Sequence, residues 1–393
     1  MTGIKHIAIL GSTGSIGRST LEVVRGLRGR VKVVGLAANA RAEELAAQVL
    51  EWKPIAASLA DRRRIGPLEA ACHQAGTELA GGSEGTISIA TLPEADLVVN
   101  ALVGAAGIEP TLAAIRAGKD VAMANKESLV AAGSVIVGAA DAAGVSLIPV
   151  DSEHSAVCQC IQGEPRSAIK RIILTASGGP LLEMGREEIA NVTAEQALSH
   201  PTWTMGRKVT IDSATLLNKG FEVIEARWLF GIEAARIEVV VERKSIVHSL
   251  VEFVDGSVSA LLSPPDMRLP IQYALTYPER LETPFAGLDL DRVGSIAFER
   301  PDLDRFPCLG LAYEALRLGG TAPAVLAAAD EVVVGAFLEG RLSFGSIASV
   351  LRDVLALAQP GDAECLDDIL EADRWARVKA DEIIGTEGDR RRA

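Results

Sequence analysis

Through the first 150 residues, short β-branched runs alternate with alanine-rich stretches whose apolar positions recur at helical spacing. The runs "HIAIL" (6–10), "VKVVGLA" (31–37), "DLVVNAL" (96–102), "DVAMAN" (120–125) and "VSLIPV" (145–150) read as buried strands. Between them, "SIGRSTLEVVRGL", "RAEELAAQVLEW", "IEPTLAAIRAG" and "KESLVAAGSVIVGAADAAG" read as helices. Strands that are apolar on both faces and alternate with helices predict parallel βαβ units.

The pattern changes near residue 150. Residues 151–285 mix polar loops and helices with four strand-like runs: "IKRIILTAS" (169–177), "RIEVVVER" (236–243), "SIVHSLVEF" (245–253) and "SVSALLS" (257–263). The last two flank Asp255-Gly256, which predicts a hairpin. Residues 286–311 are rich in turns and charge and read as a connector, and 312–393 read as a helical bundle with glycine-containing breaks. The expected architecture is therefore α/β over 1–150, α+β over 151–285, and a C-terminal helical domain.

Composition narrows this picture. Hydrophobic residues make up 48% of the 393, enough for a core in each domain, while aromatics are only 4%. The net charge of −13 argues against nucleic acid as a partner, so any anionic ligand must meet a local basic pocket or a helix N-terminus. The five scattered cysteines fit no disulfide framework, and Cys158-Gln-Cys160 lacks zinc spacing, so a reducing, cytoplasmic setting is expected. No uncharged apolar run reaches the ~18 residues of a membrane span, so no membrane partner is expected.

Candidate chemistry begins at "HIAILGSTGSIGRSTLEVV", where Gly11, Gly14 and Gly17 stand between a strand and a helix. Such a loop turns tightly and brings its backbone close to a diphosphate at the helix N-terminus. A tight turn with no ligand is the alternative. The second strand ends in "GLAANARAEEL" without the acid that would receive a ribose hydroxyl, and Asn39 and Arg41 stand there instead. Arginine pairs with a 2′-phosphate, which favours NADP over NAD, although a solvated arginine at a helix start has the same spelling. Asn125, Lys126 and Glu127 in "MANKESLVAAG" lie at another strand end. In "DSEH", Asp151 and Glu153 at strand spacing share a side and invite Mg²⁺ or Mn²⁺. Alone, the stretch favours a solvated acidic turn. "TASGGP" puts Ser177 and two glycines after a strand, as an anion site or a plain turn. The densest stretch is "HPTWTMGRKVTIDSATLLNKGFEVIEARWLF" (200–230). Its Trp203 suggests a lid, and a helical pattern from Ser213 carries Asn218, Lys219 and Glu222, either facing a ligand or facing water.

Taken in order, "LGSTGSIG", "ANKESLV", "PVDSEHSA", "TASGGP", the 200–230 stretch and "SPPDMR" make the chain resemble the 1-deoxy-D-xylulose 5-phosphate reductoisomerase family. That resemblance implies a Rossmann-like NADPH-binding domain, a catalytic and dimerisation domain, and a C-terminal helical domain. It implies conversion of a phosphorylated sugar, 1-deoxy-D-xylulose 5-phosphate, to 2-C-methyl-D-erythritol 4-phosphate by a homodimer that needs NADPH and Mg²⁺ or Mn²⁺. Thr13, Gly14, Ser15 and Ile16 would hold NADPH, with Asn39, Arg41, Asn125, Glu127, Gly206 and Met267 as further cofactor contacts. Asp151, Glu153 and Glu222 would be the metal ligands, and Lys126, Glu153 and Glu222 would carry the chemistry. Lys126, Ser152, Ser177, Ser213, Asn218 and Lys219 would bind substrate beside the two glutamates. His200, Trp203 and Met205 would close over it. The stretch "ANARAEE" departs from the longer basic or amide set that family members often carry after the second strand. Competing readings are a homoserine- or sugar-type NADP dehydrogenase and a non-catalytic NADP(H) sensor. Neither needs the carboxylates or the 200–222 cluster.

Overall fold

The computed structural model describes residues 3–392, with side chains through residue 386. Its contacts divide the chain into two compact units. The first runs through Ser128 and adds Ile136–Ser155 and Asp266–Ala286. The second comprises Leu129–Val135, Ala156–Pro265 and the chain from Gly287 onward.

The first unit is built on seven strands: β1 (Lys5–Leu10), β2 (Val31–Ala38), β3 (Ala56–Leu59), β4 (Glu78–Gly81), β5 (Leu97–Asn100), β6 (Asp120–Met123) and β7 (Leu147–Pro149). All pair in parallel, in the order β4-β3-β2-β1-β5-β6-β7. The α/β class expected from the alternation is therefore the one observed. Five strands follow the apolar runs. The other two, β3 ("AASL") and β4 ("ELAG"), carry few β-branched or aromatic residues and become strands through parallel pairing at the sheet edge. Strand order reverses between β1 and β5, and such a sheet opens a crevice there, beyond the strand C-termini. Its core joins Ile7, Ile9, Leu36 and Val99 to Ile271, Ala274 and Leu275, contributed by the helix Arg268–Thr276 from far along the chain.

The second unit contains a four-stranded sheet of β8 (Ile169–Ala176), β9 (Ile237–Val241), β10 (Val247–Phe253) and β11 (Val258–Leu262), in the order β11-β10-β8-β9. The hairpin at Asp255-Gly256 is present, with Gly256 at φ +88° and β10 antiparallel to β11. Helices Cys308–Leu318, Ala322–Leu338, Ile347–Leu357 and Leu366–Arg392 supply the helical C-terminal region. One continuous core runs from Leu174 and Val251 of the sheet through Phe221 to Leu326, Val350 and Ala376.

The strand reading of "DSEH" needs correction. β7 ends at Pro149, and Ser152 opens the helix Ser152–Cys160, with the Ser155 N–H donating to the Asp151 carbonyl at 2.8 Å. Asp151 and Glu153 are thus residues of a helix start, and the same-side argument from strand spacing does not apply. The helical stretch expected from Ser213 also differs from that reading. It begins at Arg207, breaks at Leu216 in the left-handed region (φ +61°), and resumes as Leu217–Phe230.

Candidate active site

In the first unit, β1 leads directly into the glycine loop. Gly11 has φ +84°, and a Cβ there would come within 2.3 Å of the Ala101 carbonyl, so the position accepts only glycine. A Cβ on Gly17 would lie 2.3 Å from the Gly11 carbonyl oxygen, so this glycine lets the helix Ser15–Gly26 seat on the loop. Gly14 is the extended N-cap of that helix and offers no side-chain cap, which leaves the first-turn N–H groups without a side-chain acceptor, as an anion site requires. Ser12 and Thr13 are buried, Ile16 packs partly into the core, and Ser15 is exposed. The loop meets the chain after β5, at the switch point of the sheet. Asn39 and Arg41 are exposed beyond β2, and Arg41 Nη1 donates to the Thr13 carbonyl at 3.0 Å. Met267 packs, partly buried, against the core of this unit.

Asn125 caps the helix Lys126–Ala143 by accepting from the Ser128 N–H at 2.9 Å. Its amide also donates to the Leu102 and Gly104 carbonyls at 2.9 and 3.1 Å, and to Glu127 Oε2 at 3.3 Å. With its side chain used internally, Asn125 shapes the loop after β5. Lys126 forms an ion pair with Asp151, both largely shielded. Ser152 Oγ donates to Glu153 Oε2 at 2.5 Å.

The second unit gathers the remaining candidates on one sheet end and two helices. β8 runs into Ser177, followed by Gly178 and Gly179 at φ +87° and +72°. A Cβ on Gly179 would lie 2.5 Å from the Ser213 carbonyl oxygen, so "TASGGP" is pressed against the helix Arg207–Thr215. His200 Nδ1 accepts from the Thr202 and Trp203 N–H groups at 3.1 and 2.9 Å. In the neutral ring the proton then sits on Nε2, which donates to Ser177 Oγ at 3.1 Å. Burial holds the His200 pKa below its ordinary value, favouring this neutral form. Asn218 and Lys219 open the next helix, and both donate to Glu222, Asn218 at 2.7 Å. Glu222 is 1% exposed and Lys219 4%. Asn218 Oδ1 is buried without a hydrogen-bond partner, an acceptor ready for a ligand hydroxyl. Met205 is half-buried and Gly206 is the exposed N-cap of Arg207–Thr215.

Three groups escaped the sequence reading. His154, assigned no role there, is fully buried, with Nδ1 3.9 Å from Asp151 Oδ2. His248, on an apolar strand, is 4% exposed, hydrogen bonds Ser263 Oγ at 2.9 Å and packs edge-on to the Trp203 ring at 6.4 Å. Lys208 bridges two buried carboxylates, Asp212 at 2.7 Å and Asp330 at 2.6 Å. Only the Lys208–Asp212 pair had a readable signal, its i,i+4 spacing.

A glycine loop at the switch point of a parallel sheet, running straight into a helix, is the arrangement of a dinucleotide-binding protein. Comparisons with known proteins make this specific. Family models of 1-deoxy-D-xylulose 5-phosphate reductoisomerase match residues 7–133, of its C-terminal domain residues 147–230, and of the DXP reductoisomerase C-terminal domain residues 262–379. The 1-deoxy-D-xylulose 5-phosphate reductoisomerase of Pelotomaculum thermopropionicum is 53% identical, across 97% of this chain and 99% of its own. That of Symbiobacterium thermophilum is 53% identical across 96% and 98%. The solved Zymomonas mobilis enzyme in complex with NADPH superposes with a TM-score of 0.91 at 41% identity, covering 98% of this chain and 99% of that one. A DOX-P reductoisomerase in complex with NADPH, fosmidomycin and magnesium gives 0.92 at 41%, covering 97% and 98%. The chain belongs to the 1-deoxy-D-xylulose 5-phosphate reductoisomerase family.

Proposed function

We propose that the candidate residues carry the family reaction: rearrangement of 1-deoxy-D-xylulose 5-phosphate and reduction of the rearranged aldehyde to 2-C-methyl-D-erythritol 4-phosphate, in non-mevalonate isoprenoid precursor biosynthesis. The observation that carries the reading is identity of about half the residues along nearly the whole chain with 1-deoxy-D-xylulose 5-phosphate reductoisomerases. The protein is an NADP-dependent oxidoreductase with NADPH and a divalent metal as cofactors.

The residues present suit both groups. A Cβ at Gly11 or Gly17 would meet backbone of the chain at 2.3 Å, so the two glycines let the loop and the helix behind it pack into a tight nucleotide cradle, and its helix start lacks a side-chain cap. The oxygen donors Asp151, Glu153 and Glu222 are of the type that hard divalent cations select. In each unit a carboxylate of this set already holds a cationic group, Lys126 on Asp151 and Lys219 on Glu222. When bound, the cation supplies Lewis acidity toward vicinal substrate oxygens, and NADPH supplies hydride.

The chain's own residues do the rest. The loop of Thr13, Gly14, Ser15 and Ile16 binds the dinucleotide diphosphate, with Asn39, Arg41, Asn125, Glu127, Gly206 and Met267 completing the cofactor site. Ser177, Ser213 and Lys219 bind the substrate phosphate, joined by His200 through its Nε2–H. Asn218 Oδ1 accepts from a substrate hydroxyl, and Lys126 and Ser152 orient the reacting end. Trp203, braced by His248, and Met205 exclude water, and the phosphate contributes remote binding energy for that closure. A homodimer in the cytoplasm belongs to the same proposal. The edge strand β11 shows Val258 and Leu262 to solvent, all five cysteines are free, and among the described residues no helix is long and apolar enough to cross a membrane.

The test is product identity. Incubation with 1-deoxy-D-xylulose 5-phosphate, NADPH and Mg²⁺, followed by ¹³C NMR, is expected to show the branched tetrol phosphate. An unbranched reduced sugar phosphate would reject the reading in favour of a simple dehydrogenase.

A further inference from the structure

The nucleotide-binding reading uses Arg41 and leaves Arg18 without a role. Arg18 lies in the first turns of the helix after the glycine loop. Its Nη1 donates to the Thr13 carbonyl at 2.7 Å, and Arg41 Nη1 donates to the same oxygen at 3.0 Å. Glu44 Oε2 lies 3.6 Å from the first guanidinium and 3.5 Å from the second. Two like charges from separate elements therefore meet at one point, held by a carbonyl dipole and a single carboxylate. All three side chains are about half exposed, at 53%, 58% and 48%, so the point is open to a ligand. It sits where β2 ends, the place where the ribose of a dinucleotide bound on the glycine loop falls. The acid that would receive a free 2′-hydroxyl is absent, and the chain reads Asn39-Ala40-Arg41 instead. In a protein of net charge −13, such a concentration of positive charge is a local feature.

We propose that Arg18 is a specificity-determining residue that, together with Arg41, clamps the 2′-phosphate of NADPH. The inference rests on the NADPH reading and deepens it. A guanidinium offers five N–H donors in a planar fork, and the Thr13 carbonyl takes one from each arginine, leaving forked donors for phosphate oxygens. Glu44 is the counter-ion in the absence of nucleotide, and the more highly charged phosphate displaces it. A purely structural Arg18, anchoring the loop through Thr13, would affect NADH and NADPH alike, which separates the two roles.

The experiment uses the full-length protein, its Arg18→Ala, Arg18→Lys and Arg41→Ala variants, and the double variant. Binding of NADPH and NADH is followed by fluorescence, and binding of adenosine 2′,5′-bisphosphate and 5′-AMP by calorimetry. Arg18→Ala is expected to weaken NADPH and the bisphosphate about tenfold, the effect of one charge-assisted contact at a half-exposed site. NADH and 5′-AMP should stay within about twofold, Arg18→Lys should recover part of the loss, and the double variant should lose less than the product of the single effects. Equal weakening of NADH and NADPH, or unchanged NADPH binding in Arg18→Ala, overturns the inference while leaving the NADPH reading intact. A wild-type protein that does not prefer NADPH over NADH removes both.

Discussion

Gly17→Ala isolates the steric demand of the nucleotide cradle. Gly17 has no positive φ, so backbone conformation presents no obstacle, and in an open helix alanine would be favoured by about 1 kcal/mol. The obstacle is space. The new Cβ would lie 2.3 Å from the Gly11 carbonyl oxygen, 2.5 Å from Ser12 Cα and 2.7 Å from Ser12 carbonyl carbon. All three are backbone atoms and cannot rotate aside. To reach ordinary contact, the helix Ser15–Gly26 must back away from the loop by about 1 Å, with an overpacking cost of about 1–3 kcal/mol. The same shift carries the first-turn N–H groups away from the diphosphate, so NADPH affinity should fall roughly 10- to 100-fold. Gly138→Ala is the control: it lies in the helix Lys126–Ala143 with nothing within 4 Å of the new Cβ. It should bind NADPH normally and unfold at the same or a higher temperature. The assay pairs fluorescence titration with thermal unfolding. If Gly17→Ala binds NADPH within twofold of wild type, the loop does not seat the cofactor as argued.

Three further outcomes are expected. Glu222→Gln should lower the metal-dependent rate about 100-fold or more while NADPH affinity stays within about twofold, and retained activity that still requires metal would remove Glu222 from the ligand set. Lys208→Met removes the ammonium between Asp212 and Asp330, which are 2% and 1% exposed, and should cost about 3–5 kcal/mol in denaturant unfolding; a loss below about 1 kcal/mol would refute the charge-pairing account. Burial lowers the His200 pKa from 6.5, so the open or unfolded loop takes the proton first. The stability that His200 lends the loop is therefore full above about pH 6.5 and is lost as pH falls from there toward the lower folded-state value. Amide NMR of Thr202 and Trp203, whose N–H groups donate to its Nδ1, should report this loosening, and a His200 titration at or above 6.5 would contradict it.

Local features of the fold were legible because their causes are local. The apolar runs at β1, β2, β5, β6 and β7 announce buried parallel strands, and the glycine spacing announces the loop that Gly11 and Gly17 make possible. β3 and β4 were illegible because "AASL" and "ELAG" acquire strand form from their neighbours. "DSEH" was misread as a strand end because the apolar run before it hides where β7 stops and the next helix starts. Much of the candidate site depends on long-range placement. Lys126 meets Asp151, Ser177 meets His200, and Arg18 meets Arg41, across separations that no spacing rule reaches. Resemblance to a family supplied the ligand set that spacing left open at Asp151 and Glu153.

The central claim is that one chain couples NADPH to a metal-dependent rearrangement of 1-deoxy-D-xylulose 5-phosphate. The most direct measurement is NADPH oxidation at 340 nm with and without that substrate, in metal-free buffer and after addition of Mg²⁺ or Mn²⁺. The account predicts oxidation only when substrate and metal are both present, abolished by a chelator and restored by excess cation. Oxidation that proceeds at full rate in the chelator, or no oxidation with all components present, would contradict it.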